Sequence, residues 1–123
     1  MKKHNIAIVG LGRVGSVFLN ELLNENVSGV KVVAAVEKAE TLAKAAAAQS
    51  HVKVLSLDEL VAEGDKVDVV FDLSGGTNVA EELLGKYAAQ GNLHTIVAPE
   101  RMAHLMLTLM ENQRSLPDVH PQR

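Results

Sequence analysis

The sequence has 123 residues, the size of one domain, and its 47% hydrophobic and 22% charged residues exclude a disordered chain. A net charge of -3, without a basic block, argues against a nucleic-acid partner. The absence of cysteine excludes disulfides, thiolate catalysis and Cys-ligated zinc, and no apolar run reaches the roughly 18 residues of a membrane helix.

Predicted strands and helices alternate along the chain. The basic start, MKKHNIAIVG, meets a glycine after a short apolar run, so we interpret it as the first strand of a cytoplasmic protein rather than a signal peptide. Apolar and β-branched runs predict five strands, at residues 5–9, 30–36, 51–56, 67–73 and 93–98. Helical periodicity and helix-forming composition predict five helices, at residues 13–25, 39–49, 57–63, 77–90 and 101–114.

This alternation is typical of βαβ units with a parallel sheet. We therefore predict a single α/β domain over residues 1–114, with a Rossmann-like, doubly wound sheet in the strand order 3-2-1-4-5 and helices on both faces. Residues 115–123 contain two prolines and no periodicity, and we predict a flexible tail there.

The stretch GLGRVG, residues 10–15, stands between the first strand and the first helix. Gly10 allows a tight turn, Gly12 removes the side chain that would keep a diphosphate from the backbone, and Gly15 lets the helix approach the strand. The helix N-terminus offers N–H groups to the phosphates. The alternative is a structural turn in a domain that binds no ligand. The predicted dinucleotide-binding loop comprises Gly10, Leu11, Gly12, Arg13, Val14 and Gly15.

An acidic residue, Glu37, follows the second predicted strand, about 20 residues past the glycine loop. A carboxylate at this place accepts hydrogen bonds from both hydroxyls of the adenosine ribose and repels a 2′-phosphate, so we predict NAD rather than NADP as the cofactor. Lys38, the next residue, is a candidate contact that weakens this preference. The alternative is that Glu37 and Lys38 are a solvated pair at the end of a strand.

A second glycine motif, DLSGGT at residues 72–77, follows the fourth predicted strand. Ligands of open α/β sheets bind at the carboxyl ends of strands, near the switch in strand order, and strands one and four flank that switch. We therefore predict that Ser74, Gly75, Gly76 and Thr77 also contact the dinucleotide. The alternative is a glycine turn in which Thr77 caps the next helix. Asp72, at the end of the strand, is a candidate base, but a hydrogen bond to the following turn is the more common role of such a residue.

No residue of the sequence is a confident catalytic acid or base. The five histidines lack the i, i+4 spacing of a helical metal site, and no acidic cluster completes one, so no metal site is predicted. Ser16 and Ser74 have no recognisable activating partners.

Over about residues 5–104 the sequence resembles the NAD(P)-binding domain of homoserine dehydrogenase. It is also similar to the N-terminal domains of aspartate dehydrogenase and of glucose–fructose oxidoreductase-like enzymes. The resemblance implies an oxidoreductase domain that transfers a hydride through NAD(P), with the glycine loop, Glu37 and the loop after strand four as its cofactor site. It rests on five stretches in the family's order: GLGRVG, VVAAVEK, VKVLSLDELV, VDVVFDLSGG and AAQGNLHTIVAPERMA.

Two features depart from the family pattern. The family has a lysine after strand five, where this sequence reads Val97-Ala98-Pro99-Glu100-Arg101, and arginine does not readily shuttle a proton. The family's enzymes also continue into a substrate domain. We therefore expect a standalone dinucleotide-binding protein, with the substrate half missing or supplied by a separate chain. The alternatives are a nucleotide-sensing module like those of potassium-transport regulators and a degenerate domain kept for partner binding.

The last predicted helix carries an apolar stripe at i, i+3, i+4, i+7 and i+8, formed by Met102, Leu105, Met106, Leu109 and Met110. One interpretation is packing of this stripe on the sheet. The other is a partner face, and we predict a homodimer through this helix or through the open edge of strand five. Leu107 lies off the stripe, so Leu107 and Met110 are the residues expected to meet a second copy.

Overall fold

The computed structural model describes residues 3–25, 29–76 and 78–115. Their strands are β1 (His4–Val9), β2 (Val30–Val36), β3 (Lys53–Val54), β4 (Val69–Asp72) and β5 (Ile96–Ala98). Their α-helices are α1 (Arg13–Glu25), α2 (Leu42–Gln49), α3 (Leu57–Ala62), α4 (Val79–Gln90) and α5 (Glu100–Ser115), and a 3₁₀ turn spans Gly64–Lys66.

The five strands form one parallel sheet in the order β3-β2-β1-β4-β5, which confirms the predicted α/β fold and strand order. The central strand β1 pairs with β2 on one side and with β4 on the other. All strands point the same way, so the ends of β1, β2, β4 and β5 meet at one edge of the sheet.

Hydrophobic cores lie on both faces of the sheet, because alternate residues of β1 point to opposite sides. Ile6 and Ile8 belong to a cluster with residues of α1, α2 and α5, where the rings of Phe18 and Phe71 meet edge to face at 4.8 Å. Ala7 and Val9 belong to a cluster with residues of α3 and α4. Helices therefore cover both faces, as predicted.

Several predicted elements are shorter in the structure: β4 spans Val69–Asp72 rather than residues 67–73, and β5 spans Ile96–Ala98 rather than residues 93–98. Helix α2 begins at Leu42 rather than at residue 39, because the Thr41 side chain accepts the N–H of Lys44 and caps the helix there. Strand β3 spans only Lys53–Val54 rather than residues 51–56, because His51 adopts a left-handed conformation with φ of +66°.

Helix α4 ends as predicted at Gly91, whose φ of +77° suits a glycine after a helix. It begins at Val79, and the predicted cap residue Thr77 lies outside the described residues. Helix α5 reaches Ser115, one residue beyond the predicted boundary, and residues 116–123 of the predicted tail also lie outside the described part of the chain.

Helix α5 turns a different face to the sheet than the predicted dimer requires. Leu107 and Met110 pack against the core cluster, so the expectation that they meet a second copy is wrong. The exposed apolar residues of this helix are Met102, Leu105 and Leu109, at 42%, 49% and 58% exposure. The predicted stripe is therefore divided, because the apolar residues of α5 extend around more than one face of the helix.

None of the helices in the described ranges is long and apolar enough to cross a bilayer.

Candidate functional site

The glycine loop joins β1 to α1 at the carboxyl edge of the sheet. The loop extends the hydrogen bonding between β1 and β2, because the Gly10 N–H donates to the Val36 carbonyl at 2.8 Å. The loop after β4 does the same between β4 and β1 through the Leu73 N–H, which donates to the Val9 carbonyl at 2.8 Å. The ends of β1, β2 and β4 are thus fixed side by side, where the sequence predicted a ligand site.

Two glycines of the loop are required by close backbone packing. Gly10 has a φ of +96°, and a Cβ built there lies 2.6 Å from the Cα of Ser74. A Cβ built on Gly15 lies 1.8 Å from the Gly10 carbonyl oxygen. The sequence predicted that Gly15 brings helix and strand together, and the structure shows that the tightest contact is with the loop itself.

Gly12 is different, because no atom of the other described residues, its chain neighbours aside, lies within 4 Å of a Cβ built on it. Gly12 is exposed and stands directly before the first turn of α1, where its carbonyl accepts the N–H of Ser16 at 2.9 Å. The space above Gly12 is therefore open at the positive end of a helix dipole, a favourable place for an anion.

The Glu37 carboxylate lies beside the glycine loop. Its Oε1 accepts the Leu11 N–H at 2.6 Å and its Oε2 accepts the Ala39 N–H at 2.9 Å. These two bonds, from Ala39 and then Leu11, lower the pKa of Glu37 below the ordinary value of 4.5, against the effect of partial burial. Each oxygen keeps a lone pair for a further donor, so the carboxylate is both held in place and available.

These bonds predict a pH-dependent contribution of Glu37 to stability. Because its pKa is lower in the folded state, the contribution is complete above about pH 4.5 and is lost as the pH falls through the folded-state value. We expect Glu37→Gln to be less stable than the wild type at pH 7 and the difference to shrink below pH 4.5. Urea unfolding at pH 7, 5 and 4 measures it, and a difference independent of pH would contradict the assignment.

The loop after β4 is organised by side-chain bonds. Asp72 Oδ1 accepts the Ser74 N–H at 3.2 Å and its hydroxyl at 2.7 Å, and Ser74 Oγ in turn accepts the Gly76 N–H at 3.2 Å. The expected turn-forming role of Asp72 is thus confirmed. Gly75 has a φ of +77°, which this turn needs.

The two glycine loops enclose a cleft of about 630 Å³. Nine of the twelve predicted site residues line it: Gly10, Gly12, Arg13, Val14, Glu37, Lys38, Ser74, Gly75 and Gly76. Leu11 is 2% exposed and belongs to the core, and it meets the site through its N–H bond to Glu37. Gly15 is buried beneath the loop, and Thr77 is outside the described residues.

The cleft continues into a cavity at each end. At the Glu37 end lies a cavity of about 470 Å³, which shares Glu37 and Leu57 with the cleft and is also lined by Lys44 and Leu55. At the other end lies a cavity of about 420 Å³, which shares Glu100 with it. These three neighbouring spaces, which share lining residues at the carboxyl edge of the sheet, are together called the groove.

Sequence reasoning missed seven residues that line the cleft. Three of them, Val9, Val36 and Leu73, stand at or directly after the ends of β1, β2 and β4, and the other four are Leu57, Val79, Glu82 and Glu100. The signal for Glu100 was present, because it follows β5 and the carboxyl ends of all parallel strands meet at this edge. Leu57, Val79 and Glu82 lie on helices α3 and α4, and no sequence motif marks them.

Two solved structures have a similar fold. Scyllo-inositol dehydrogenase from Lactobacillus casei, with bound NAD(H) and scyllo-inositol, has a TM-score of 0.59 and 23% identity, over 78% of this chain and 28% of that one. S. aureus homoserine dehydrogenase at pH 6.5 has a TM-score of 0.57 and 23% identity, over 91% of this chain and 30% of that one. The chain thus spans less than a third of these proteins' length.

No curated protein matches the sequence. The family model described as homoserine dehydrogenase, NAD binding domain, matches residues 10–116, a range that includes both glycine loops, Glu37 and the start of α5. The match covers most of the chain and agrees with the strand order and the glycine-loop geometry. The chain therefore belongs to the family of homoserine dehydrogenase NAD-binding domains.

Proposed function

We propose that this protein binds NAD in the cleft between its two glycine loops, as the nucleotide-binding part of an oxidoreductase. The observation that carries the proposal is the open space above Gly12, at the N-terminus of α1, with the fixed Glu37 carboxylate beside it. That arrangement suits a diphosphate next to a ribose. The family match and the fold of the NAD(H)-bound neighbour support it.

The groove suggests the orientation of the dinucleotide. With the ribose hydroxyls on Glu37, the adenine extends into the cavity lined by Leu55, Leu57 and Lys44. With the diphosphate above Gly12, the nicotinamide half extends toward Glu100. We propose Leu11 and Gly15 as supports of the loop and the nine cleft-lining residues as contacts; the contact predicted for Thr77 stays a prediction.

NADH is expected to stabilise the folded protein. At about 100 times its dissociation constant, a ligand that binds only the folded state adds about 2.7 kcal/mol to the free energy of unfolding. Calorimetric titration and thermal unfolding with NADH and with adenosine measure this. If saturating NADH gives no heat of binding and no shift in melting temperature, the proposed function is contradicted.

NAD is proposed over NADP because Glu37 is held by two backbone bonds and does not turn away easily from a 2′-phosphate. Lys38 lines the same cleft and attracts such a phosphate. Glu37→Ala is therefore expected to weaken NADH and to strengthen NADPH relative to NADH. Parallel titrations measure the ratio of the two dissociation constants. Glu59→Ala is the control, because Glu59 also accepts a backbone N–H, that of Ser56 at the start of α3, but does not line the cleft. An unchanged ratio in Glu37→Ala would contradict the assignment.

We also propose that the chain binds the dinucleotide as a standalone unit, because both glycine loops and Glu37 lie on it and line one cleft. A substrate domain would then come from a separate chain or be replaced by a second copy. The test is to purify the untagged natural protein and to ask whether a second chain co-purifies with it.

A homodimer through α5 is proposed on a corrected surface. Met102, Leu105 and Leu109 are exposed at i, i+3 and i+7, and the nearby edge strand β5 pairs only with β4 among the described strands. A two-fold pairing of this face would bury the stripe.

Leu105→Glu with Leu109→Glu is expected to convert the dimer to a monomer without unfolding it. The matched control is Leu42→Glu with Leu84→Glu, since both leucines are exposed but lie on α2 and α4. Sedimentation at micromolar concentration measures the mass, and a wild-type mass near the 13.1 kDa of one chain would contradict the dimer.

A further inference from the structure

We propose that Glu100, Arg101 and His104 form the reaction end of the groove, where Arg101 holds the anionic group of a small hydroxy or carbonyl compound and His104 exchanges its proton. This inference rests on the proposed NAD binding, because it takes the nicotinamide half to lie at this end.

The position of the three residues follows from the start of α5. The helix begins at Glu100, directly after β5 and Pro99, so its first turn stands at the same edge as the glycine loops. Glu100 lines the cleft together with Gly12, and it also lines the end cavity of about 420 Å³ with Arg101 and His104. Glu100 is therefore a wall that the end cavity and the cleft have in common.

The imidazole of His104 is oriented by Glu100. Its Nε2 lies 3.1 Å from Glu100 Oε2, and a carboxylate oxygen accepts hydrogen bonds, so Nε2 carries the hydrogen. In the neutral ring, Nδ1 then has a free lone pair that can take a proton. Glu100 is thus a positioning residue for His104, and the ring is 57% exposed toward molecules that enter from solvent.

Arg101 supplies a permanent positive charge. Its side chain is exposed and lines the same cavity as His104. Among the residues that the structure describes, no ion-pair partner of Arg101 is found, whereas Lys44, Lys53 and Lys86 are paired. An exposed guanidinium without an ion-pair partner among the described residues suits bidentate contact with a carboxylate or phosphate.

The proton and electron balance of the proposed step is that of alcohol oxidation. The substrate's C–H bond breaks and its electron pair leaves with the hydride to the oxidised nicotinamide. The O–H proton passes to Nδ1 of neutral His104, and the carbon–oxygen double bond forms. The simpler interpretation is that Glu100 and His104 are only a helix-stabilising pair at i, i+4.

The first experiment compares NAD with ADP-ribose, which lacks the nicotinamide. In ¹⁵N-labelled full-length protein, the ring signals of His104, assigned with His104→Gln, should shift with NAD but not with ADP-ribose. The backbone signal of Gly12 should shift with both. His94 is the internal control, because it precedes β5 and is paired with Asp68, which precedes β4, at the opposite edge of the sheet.

The outcomes separate the two proposals. If Gly12 responds to both ligands and His104 responds equally to both or to neither, the inference is overturned and the proposed function stands. If Gly12 responds to neither ligand, the proposed NAD binding fails and the inference fails with it. In Glu100→Ala, which removes the acceptor oxygen, the ¹⁵N shifts of His104 should lose the pattern of a single Nε2–H tautomer; an unchanged pattern would overturn the positioning role.

The second experiment tests the anion with oxamate, which carries a carboxylate beside a carbonyl. Oxamate should bind the NADH complex, and Arg101→Met should weaken it about tenfold or more while NADH affinity changes less than about twofold. His94→Gln is the matched control and should leave both affinities unchanged. No binding of oxamate to the wild-type complex, or equal binding to Arg101→Met, would overturn the assignment of Arg101.

Discussion

Gly15→Ala is expected to lower the free energy of unfolding by about 3 kcal/mol or more. The added Cβ would lie 1.8 Å from the carbonyl oxygen and 2.8 Å from the carbonyl carbon of Gly10. Both are backbone atoms, so no side-chain rotation relieves the overlap. The loop has little room to move, because Gly10 is bonded to the Val36 carbonyl and packed against Ser74. Helix α1 must then shift away from the sheet and lose core contacts.

The same substitution at Gly85 is the matched control. Gly85 lies inside α4, and apart from its chain neighbours and its own helix backbone no atom of the described part of the chain is within 4 Å of a Cβ built there. Gly85→Ala is expected to stabilise the protein by up to about 1 kcal/mol, through the higher helix propensity of alanine. Urea unfolding of both variants measures the difference. If Gly15→Ala is as stable as the wild type, the loop does not pack on α1 as described.

The strand order and the two-faced covering of the sheet could be predicted from the sequence, because continuous apolar strands alternating with helices allow few other topologies. The ends of elements were less accessible. Thr41 and His51 look ordinary in sequence, but a side-chain cap at Thr41 and a left-handed backbone at His51 shorten α2 and β3. Such ends depend on single hydrogen bonds and dihedral angles, which hydrophobic periodicity does not report.

The two glycine loops and Glu37, which form the centre of the site, could be predicted because each directly follows a predicted strand. Their supports could not: the bond from Leu11 to Glu37 and the contact of Gly10 with Ser74 join residues far apart in sequence. The orientation of α5 was mistaken for a similar reason. Its apolar residues cover several faces, and only the packing of Leu107 and Met110 on the core shows which face is left exposed.

Gly12→Val is expected to weaken NADH binding about a hundredfold or more, which corresponds to about 2.8 kcal/mol. The valine side chain would occupy the open space above the start of α1, where the proposed diphosphate lies. The fold should tolerate the change, because among the residues in the described ranges none beyond the chain neighbours lies within 4 Å of the Cβ, and the backbone is not left-handed. A less favourable helix cap accounts for a loss of stability of about 1 kcal/mol at most.

The contrast between Gly12 and Gly15 separates binding from folding within one loop. Gly15→Ala should reduce stability, whereas Gly12→Val should reduce affinity with a nearly unchanged urea midpoint. Adenosine, which has no phosphate, provides the ligand control: it should bind Gly12→Val as it binds the wild type, because Glu37 and the cavity beside it are unaltered. If Gly12→Val keeps its affinity for NADH, the diphosphate does not lie above Gly12, and the proposed orientation of the dinucleotide is wrong.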